Sequence, residues 1–224
     1  MTYLRKMMKY AGKRFLIILL ICFSVTDIFC FTIGRLKYKG GGDWYNDPSI
    51  ITEIAQKITQ LTGIKINPEQ KIVQFDDDSA FETPFIFVTG HGNIKFDPDE
   101  REKLLVFFKN GGFLYVDDDY GLDKHFRREM ESIFGKDSLK ELPSNFELFN
   151  IYYDFGKEGI PKVHEHYKGP PKTYAIWVDG RVAVVYTYNS NISDGWTDVH
   201  NDPKNIRTRA FQFGVNLILF FLTR

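Results

Sequence analysis

Hydrophobic positions along this chain switch repeatedly between a period of two and a period near 3.6. From Phe31, "FTIGRLKY" reads as a strand that stops at "GGGDW" (40–44). After Pro48, Ile50, Ile51, Ile54, Ile58 and Leu61 recur at helical spacing, and Gly63 closes the helix. "IKIN" and "KIVQF" are expected as short strands around a turn at Asn67-Pro68. "PFIFVTG" is a continuous apolar run of the kind a strand buried on both faces requires. In "DPDEREKLLVFFKNGG", Asp97 caps a helix, Pro98 fits its first turn and Gly111 ends it. "FLYVDD" predicts the next buried strand, and "LDKHFRREMESIF" a helix with Leu122, Phe126, Met130 and Ile133 on its apolar face. Strands alternating with helices of this length predict an α/β domain with a mostly parallel sheet covered on both sides.

Beyond Leu142 the rhythm changes. Residues 143–172 lack periodicity and predict a long connection. "TYAIWVDGRVAVVYTY" predicts a hairpin turning at Asp179-Gly180. A polar loop, "NSNISDGWTDVHNDPKN", leads into a buried C-terminal helix whose apolar run is short for a membrane span.

The N-terminus has a different character. Residues 1–30 hold five basic residues and one acidic residue, then the eleven-residue apolar run "FLIILLICFSV". That run suits a signal-peptide core better than a membrane span, and an uncleaved anchor is the alternative. The division expected is therefore a leader over 1–30 and one domain over 31–224. The domain is exported, periplasmic or membrane-anchored, and touches the membrane only through the leader. It carries a net charge of −4, which argues against nucleic acid as partner. Both cysteines, Cys22 and Cys30, lie in the leader. The domain thus has no disulfide, thiolate ligand or cysteine nucleophile.

Ligands of parallel α/β sheets bind outside the carboxyl ends of the strands. Three unusual loops are expected there: "GGGDWYNDP", "TGHGN" and "DDDYG". In the first, Gly41 and Gly42 allow backbone N–H groups to approach a ligand, with Asp43 and Trp44 beside it. In the second, Gly90 and Gly92 flank His91, a proton donor, ligand contact or metal ligand. In the third, Asp117, Asp118 and Asp119 alternate in direction, so one caps the next helix, one bonds backbone N–H groups and one faces the crevice. Each loop also has a purely structural reading, as a tight turn or a helix cap. Weaker candidates are His164 and His166 around Glu165, which lack an evident third metal ligand nearby, and Asn189, Asp194 and Trp196 as a site rim. His125 is expected on a helix surface and Arg181 at a solvated strand start. The sequence specifies no metal or cofactor, and no G-x-S-x-G, Walker or H-E-x-x-H motif occurs.

"RLKYKGGGDWYNDP", "PFIFVTGHGNIKF", "NGGFLYVDDDYG", "DGRVAVVYTY" and "FGVNLILFFLTR" occur in the order seen in a bacterial family of uncharacterised domains. That family is similar to the ThuA-like branch of the class I glutamine amidotransferase-like superfamily. The resemblance covers about Phe31 to Arg224 and implies a flavodoxin-like, doubly wound fold with a C-terminal β-hairpin and helix. "FLYVDDDYG" resembles the strand–turn–helix that carries the amidotransferase cysteine, with carboxylates at the elbow. A carboxylate is a poor acyl acceptor beside a thiolate, so glutaminase chemistry is excluded. Where the family commonly has a His-Pro pair after Leu-Pro, this chain has Phe146 and Glu147.

The function expected first is binding of a small polar, carbohydrate-like ligand or envelope component in the crevice. A hydrolase using Asp118 or Asp119 with His91 is the alternative, and an envelope-assembly protein a third. The hydrolase requires one of these carboxylates within about 3–4 Å of His91.

Overall fold

The computed structural model describes residues 32–224. The leader expected over 1–30 and both cysteines lie outside the described residues. The first crossover runs from β1 (Ile33–Leu36) through α1 (Ile50–Thr62) to β2 (Lys71–Val73). Then come β3 (Phe85–Val88), α2 (Pro98–Lys109), β4 (Phe113–Asp117) and α3 (Asp123–Phe134). The C-terminal part adds β5 (Lys140–Glu141), β6 (Lys172–Val178), β7 (Arg181–Tyr188) and α4 (Lys204–Thr223). The seven strands form one sheet in the order β2-β1-β3-β4-β7-β6-β5. The pairings among β2, β1, β3, β4 and β7 are parallel, whereas β6 runs antiparallel to β7 and β5 to β6. This is the α/β architecture that the alternating periods predict, and it is consistent with a flavodoxin-like winding.

Successive side chains of a strand point to opposite faces, and the core divides accordingly. Phe85, Phe87, Phe113 and Tyr115 pack with α1 and α4 on one face. Ile86, Val88, Leu114 and Val116 pack with α2 and α3 on the other. The predicted boundaries follow from local chemistry. Asp97 accepts from the Glu100 N–H at 3.0 Å while Glu100 accepts from the Asp97 N–H at 2.9 Å, a reciprocal capping box that starts α2. Asp179 (φ 52°) and Gly180 (φ 78°) both adopt the positive φ that a tight hairpin turn demands.

Two expectations need correction. "IKIN" (64–67) forms no continuous strand: only Ile66 makes an isolated β-bridge, and side chains of α1 take backbone N–H groups of the segment. Ile64 donates to Thr62 Oγ1 at 3.1 Å and Ile66 to Thr59 Oγ1 at 3.3 Å. Arg181 is not merely solvated, since its guanidinium donates to the carbonyls of Gly112 and Phe108 at the end of α2. Among the described residues no helix is long and apolar enough to cross a membrane.

Two features aim the loops. The parallel strands all end at one edge, and β6, being antiparallel, begins there: its Lys172 lies opposite Tyr188 at the end of β7. The segment leading into β6 therefore reaches the same edge as the loops leaving β1, β3, β4 and β7. Arg35, fully buried in β1, organises the first of these loops. It donates to the carbonyls of Trp44 (2.7 Å), Asp47 (3.1 Å) and Asn46, and to Gln70 Oε1 (3.1 Å). Burial lowers its pKa to about 10, partly offset by Asp47, so it stays charged at neutral pH. Arg35→Leu should leave these buried carbonyls without donors and cost on the order of 3 kcal/mol. At this chain length that corresponds to a Tm lower by roughly 6–12 °C in a thermal melt.

Candidate functional site

The two glycine-bearing loops interlock. Gly42 donates its N–H to the Asn93 carbonyl at 3.0 Å, and Asp43 donates to the His91 carbonyl at 3.3 Å. A Cβ on Gly42 would lie 2.7 Å from that His91 oxygen, and one on Gly90 (φ +129°) would lie 2.9 Å from the Asp43 oxygen. Each motif thus needs glycine because the backbone of the other motif occupies the space. This corrects the expectation for Gly42 and Gly90, whose open side is filled by protein rather than left for a ligand. A Cβ on Gly92 would lie 4.0 Å from Gly42 Cα, whereas one on Gly41 would face open space. Trp44 is half-buried, edge-to-face with Tyr45 and beneath the Lys37 ammonium.

The three aspartates are all buried, and each is solvated differently. Asp117 accepts from Thr187 Oγ1 (2.6 Å), the Ser193 N–H (2.6 Å) and Ser190 Oγ (3.5 Å), tying β4 to the loop after β7. Asp118 accepts from the N–H groups of Asp123 (3.1 Å) at the start of α3 and Asn189 (3.3 Å). Asp119 accepts from the Tyr120 N–H (2.7 Å), Asn46 Nδ2 (3.0 Å) and Asn191 Nδ2 (3.3 Å), and meets two histidine rings. Burial pushes Asp117 up to about 6, against the hydrogen bonds of Thr187 and Ser193. Burial pushes Asp118 up to about 8, against the Asn189 N–H and aided by the charges of Asp123 and Asp117. Burial would raise Asp119 too, but hydrogen bonds from His166 and Tyr120 and the nearby imidazole charges hold it below the ordinary value. At neutral pH the charges therefore alternate along the chain: ionised, protonated, ionised. The oxygens of Asp117 and Asp118 are engaged by β7, the loop after it and α3, whereas Asp119 is the one that meets the histidines.

Four of the chain's five histidines gather here. His91 spans two carboxylates, with Nδ1 2.9 Å from Asp43 Oδ2 and Nε2 3.2 Å from Asp119 Oδ1. Burial would lower its pKa, but the hydrogen bond to Asp43 and the charges of Asp119, Asp43 and Asp194 raise it above the ordinary histidine value. His166 Nε2 lies 3.2 Å from the same Asp119 Oδ1. His164 contacts Asp194 Oδ2 through Nδ1 (2.8 Å) and Asp202 Oδ1 through Nε2 (3.2 Å). Asp194 raises it to about 9 through its hydrogen bond and charge, against burial, with help from Asp202. His200 Nε2 lies 2.9 Å from Asp47 Oδ2 and 3.8 Å from Asp194 Oδ2. Asn191 links the halves, donating from Nδ2 to both Asp119 Oδ1 (3.3 Å) and Asp194 Oδ2 (2.6 Å). The donor atoms of His164, Asp194 and His200 lie within 4.8 Å of one another, a group that could hold a metal ion.

Of the two aspartates expected beside His91, Asp119 meets it and Asp118 does not, and Asp43 is a third member. His166 and Glu165, expected beside His164, lie outside this group: His166 contacts Asp119 and Glu165 contacts Lys162, and it is Asp194 and His200, after β7, that stand beside His164. His200, Asp47, Asp202 and Asn191 carry no local motif. The available signal was histidine and aspartate recurring in the two loops that flank the hairpin. His125 stays outside the cluster, on α3, beside Arg128.

The fold and the strand-end loops define an α/β domain of the doubly wound class, with a histidine–carboxylate cluster at its strand ends. A family model for a domain of unknown function, DUF4159, matches residues 32–222, and the chain belongs to that family. No curated protein matches the chain.

Asp118 offers a direct test of the charge alternation. A raised carboxylate pKa favours folding most below the unfolded value near 4, and that contribution is lost as pH rises through about 8. Asp118→Asn should remove this loss. Measured by denaturant melts, its stability relative to wild type should rise with pH by up to about 1.4 kcal/mol per unit between about 4 and 8, then level off.

Proposed function

We propose that the domain is a hydrolase in which Asp119 and His91 form the acid–base pair and Asp43 orients the imidazole. The observation that carries this reading is the 3.2 Å contact between His91 Nε2 and Asp119 Oδ1, with Asp43 on the opposite ring nitrogen. A base, an acid and an orienting group in mutual hydrogen-bond reach are what general acid–base catalysis requires. A pure binding module has no need of such an arrangement.

The favoured protonation states support the following roles. Asp119 is held ionised and His91 is favoured as imidazolium, so Asp119 is the base and His91 the acid. Asp119 takes a proton from an attacking water as the water oxygen bonds to the electrophilic centre. His91 gives its proton to the leaving group as the scissile bond breaks. One proton then passes from Asp119 to His91 across their contact, restoring both groups. Acid and base that touch serve one side of the reacting centre, whereas glycoside cleavage places two carboxyl groups about 5–10 Å apart across the sugar. We therefore favour an ester or amide bond in a small polar, carbohydrate-like or envelope-derived substrate. Export through residues 1–30 and kinship with ThuA-like proteins are part of this proposal.

The full chain should be assayed against p-nitrophenyl esters and acetylated saccharides, with folding monitored by thermal melts. His91→Ala and Asp119→Asn should each lower kcat about 10²–10⁴-fold while remaining folded. In wild type, activity should fall on the alkaline side only above the ordinary histidine range. Turnover unchanged in both folded variants would exclude this pair. Saturable saccharide binding without turnover would favour the binding module instead.

A further inference from the structure

We infer that His164, Asp194 and His200 form a binding site for a first-row transition-metal dication of the zinc type. The inference does not rest on the acid–base reading, because none of the three residues takes part in it.

The donor set is two imidazole nitrogens and one carboxylate, the combination that three-ligand zinc and related sites use while keeping a position open. A tetrahedral ion with ligands at about 2.0–2.1 Å sets them about 3.3 Å apart. The existing separations bracket that value: 2.8 Å from His164 Nδ1 to Asp194 Oδ2, 3.8 Å from Asp194 Oδ2 to His200 Nε2, and none beyond 4.8 Å. Modest side-chain adjustment therefore brings all three to one centre. The surroundings are those of a supported ligand set. His164 offers Nδ1 to the centre while its Nε2 faces Asp202 at 3.2 Å, the carboxylate–histidine pairing that orients metal-bound imidazoles. His200 would exchange its Asp47 contact for the ion, leaving that buried carboxylate alongside to balance charge.

A second observation points to a ligand. Asp194 is 3% exposed, and its Oδ1 has no hydrogen-bond partner among the described residues. The buried Oδ1 of Asn191 and Oδ2 of Asp202, on either side, share that condition. Buried oxygens without donors are costly and call for an explanation. A His164 imidazolium placed between Asp194 and Asp202 neutralises charge yet leaves all three oxygens unpartnered. A dication held by both oxygens of the Asp194 carboxylate would give Oδ1 the partner it lacks, while Oδ2 already faces His164 and the Asn191 amide. The nitrogen donors favour a zinc-like ion over magnesium or calcium, which prefer all-oxygen shells.

The full chain, freed of metal by chelation, should be titrated with Zn2+ and separately with Mg2+ by calorimetry. We expect one equivalent of Zn2+ to bind and raise Tm, with Mg2+ at least tenfold weaker. His200→Ala and His164→Ala should each weaken Zn2+ binding by more than tenfold, and Asp202→Asn by about 10–100-fold. His125→Ala and His91→Ala should leave it unchanged. His200→Ala serves as the foldable variant should His164→Ala not fold. Co2+ should give a ligand-field spectrum of low coordination number that disappears in His200→Ala. No stoichiometric Zn2+ binding by wild type, equal affinity for Mg2+, or unchanged affinity in folded His200→Ala would overturn the assignment. The hydrolase reading stands or falls separately, on His91→Ala turnover.

Discussion

Three carboxylates in succession at the buried end of a central strand must be solvated by protein, and much of the site follows from how that is done. Asp117 draws in the Ser193 N–H and the Thr187 hydroxyl, fixing where the chain goes after β7. Asp118 holds the first turn of α3 on one side and Asn189 on the other. Asn189 then binds the Tyr167 N–H and the Gly169 carbonyl through its side chain. That link carries the constraint to the segment bearing His164 and His166. Asp119, last in the row, is surrounded by what the other two have positioned. Their mutual repulsion is eased because burial pushes the middle carboxyl toward its neutral form.

The interlocked glycine loops are a second example of one residue type serving another's geometry. The glycines of "GGGDW" and "TGHG" have no side chains because each loop lies against the other's backbone. Their close approach puts Asp43 on one ring nitrogen of His91, while β4 brings Asp119 to the other. Buried Arg35 supports the same loop from within the sheet, through the carbonyls of Trp44, Asn46 and Asp47. A cation in the core is tolerated there because carbonyl oxygens and Gln70 replace its water.

Beside this pair, the loops flanking the hairpin build a second group around Asp194, joined to the first by the Asn191 amide. Acid–base groups and a nitrogen-rich cation site then lie within one hydrogen-bonded assembly. Such adjacency suits hydrolytic chemistry, in which water must be deprotonated and a leaving group protonated.

The sequence alone determined the α/β layering, the helix starts and stops, the hairpin and the edge at which three loops meet. These depend on period, capping and turn chemistry, which act over a few residues. It also marked His91 and either Asp118 or Asp119 as candidate partners, because both loops follow buried strands expected to run parallel. Tertiary structure alone decided which aspartate meets the histidines, since Asp117 and Asp118 are claimed by β7 and α3 through contacts no local pattern encodes. It alone decided that residues 64–67 bond to α1 instead of forming a strand. It alone brought His164, Asp194 and His200 together, because the antiparallel placement of β6 returns the preceding segment to the edge where β7 ends. That placement is a long-range pairing, and a chain read residue by residue does not show it.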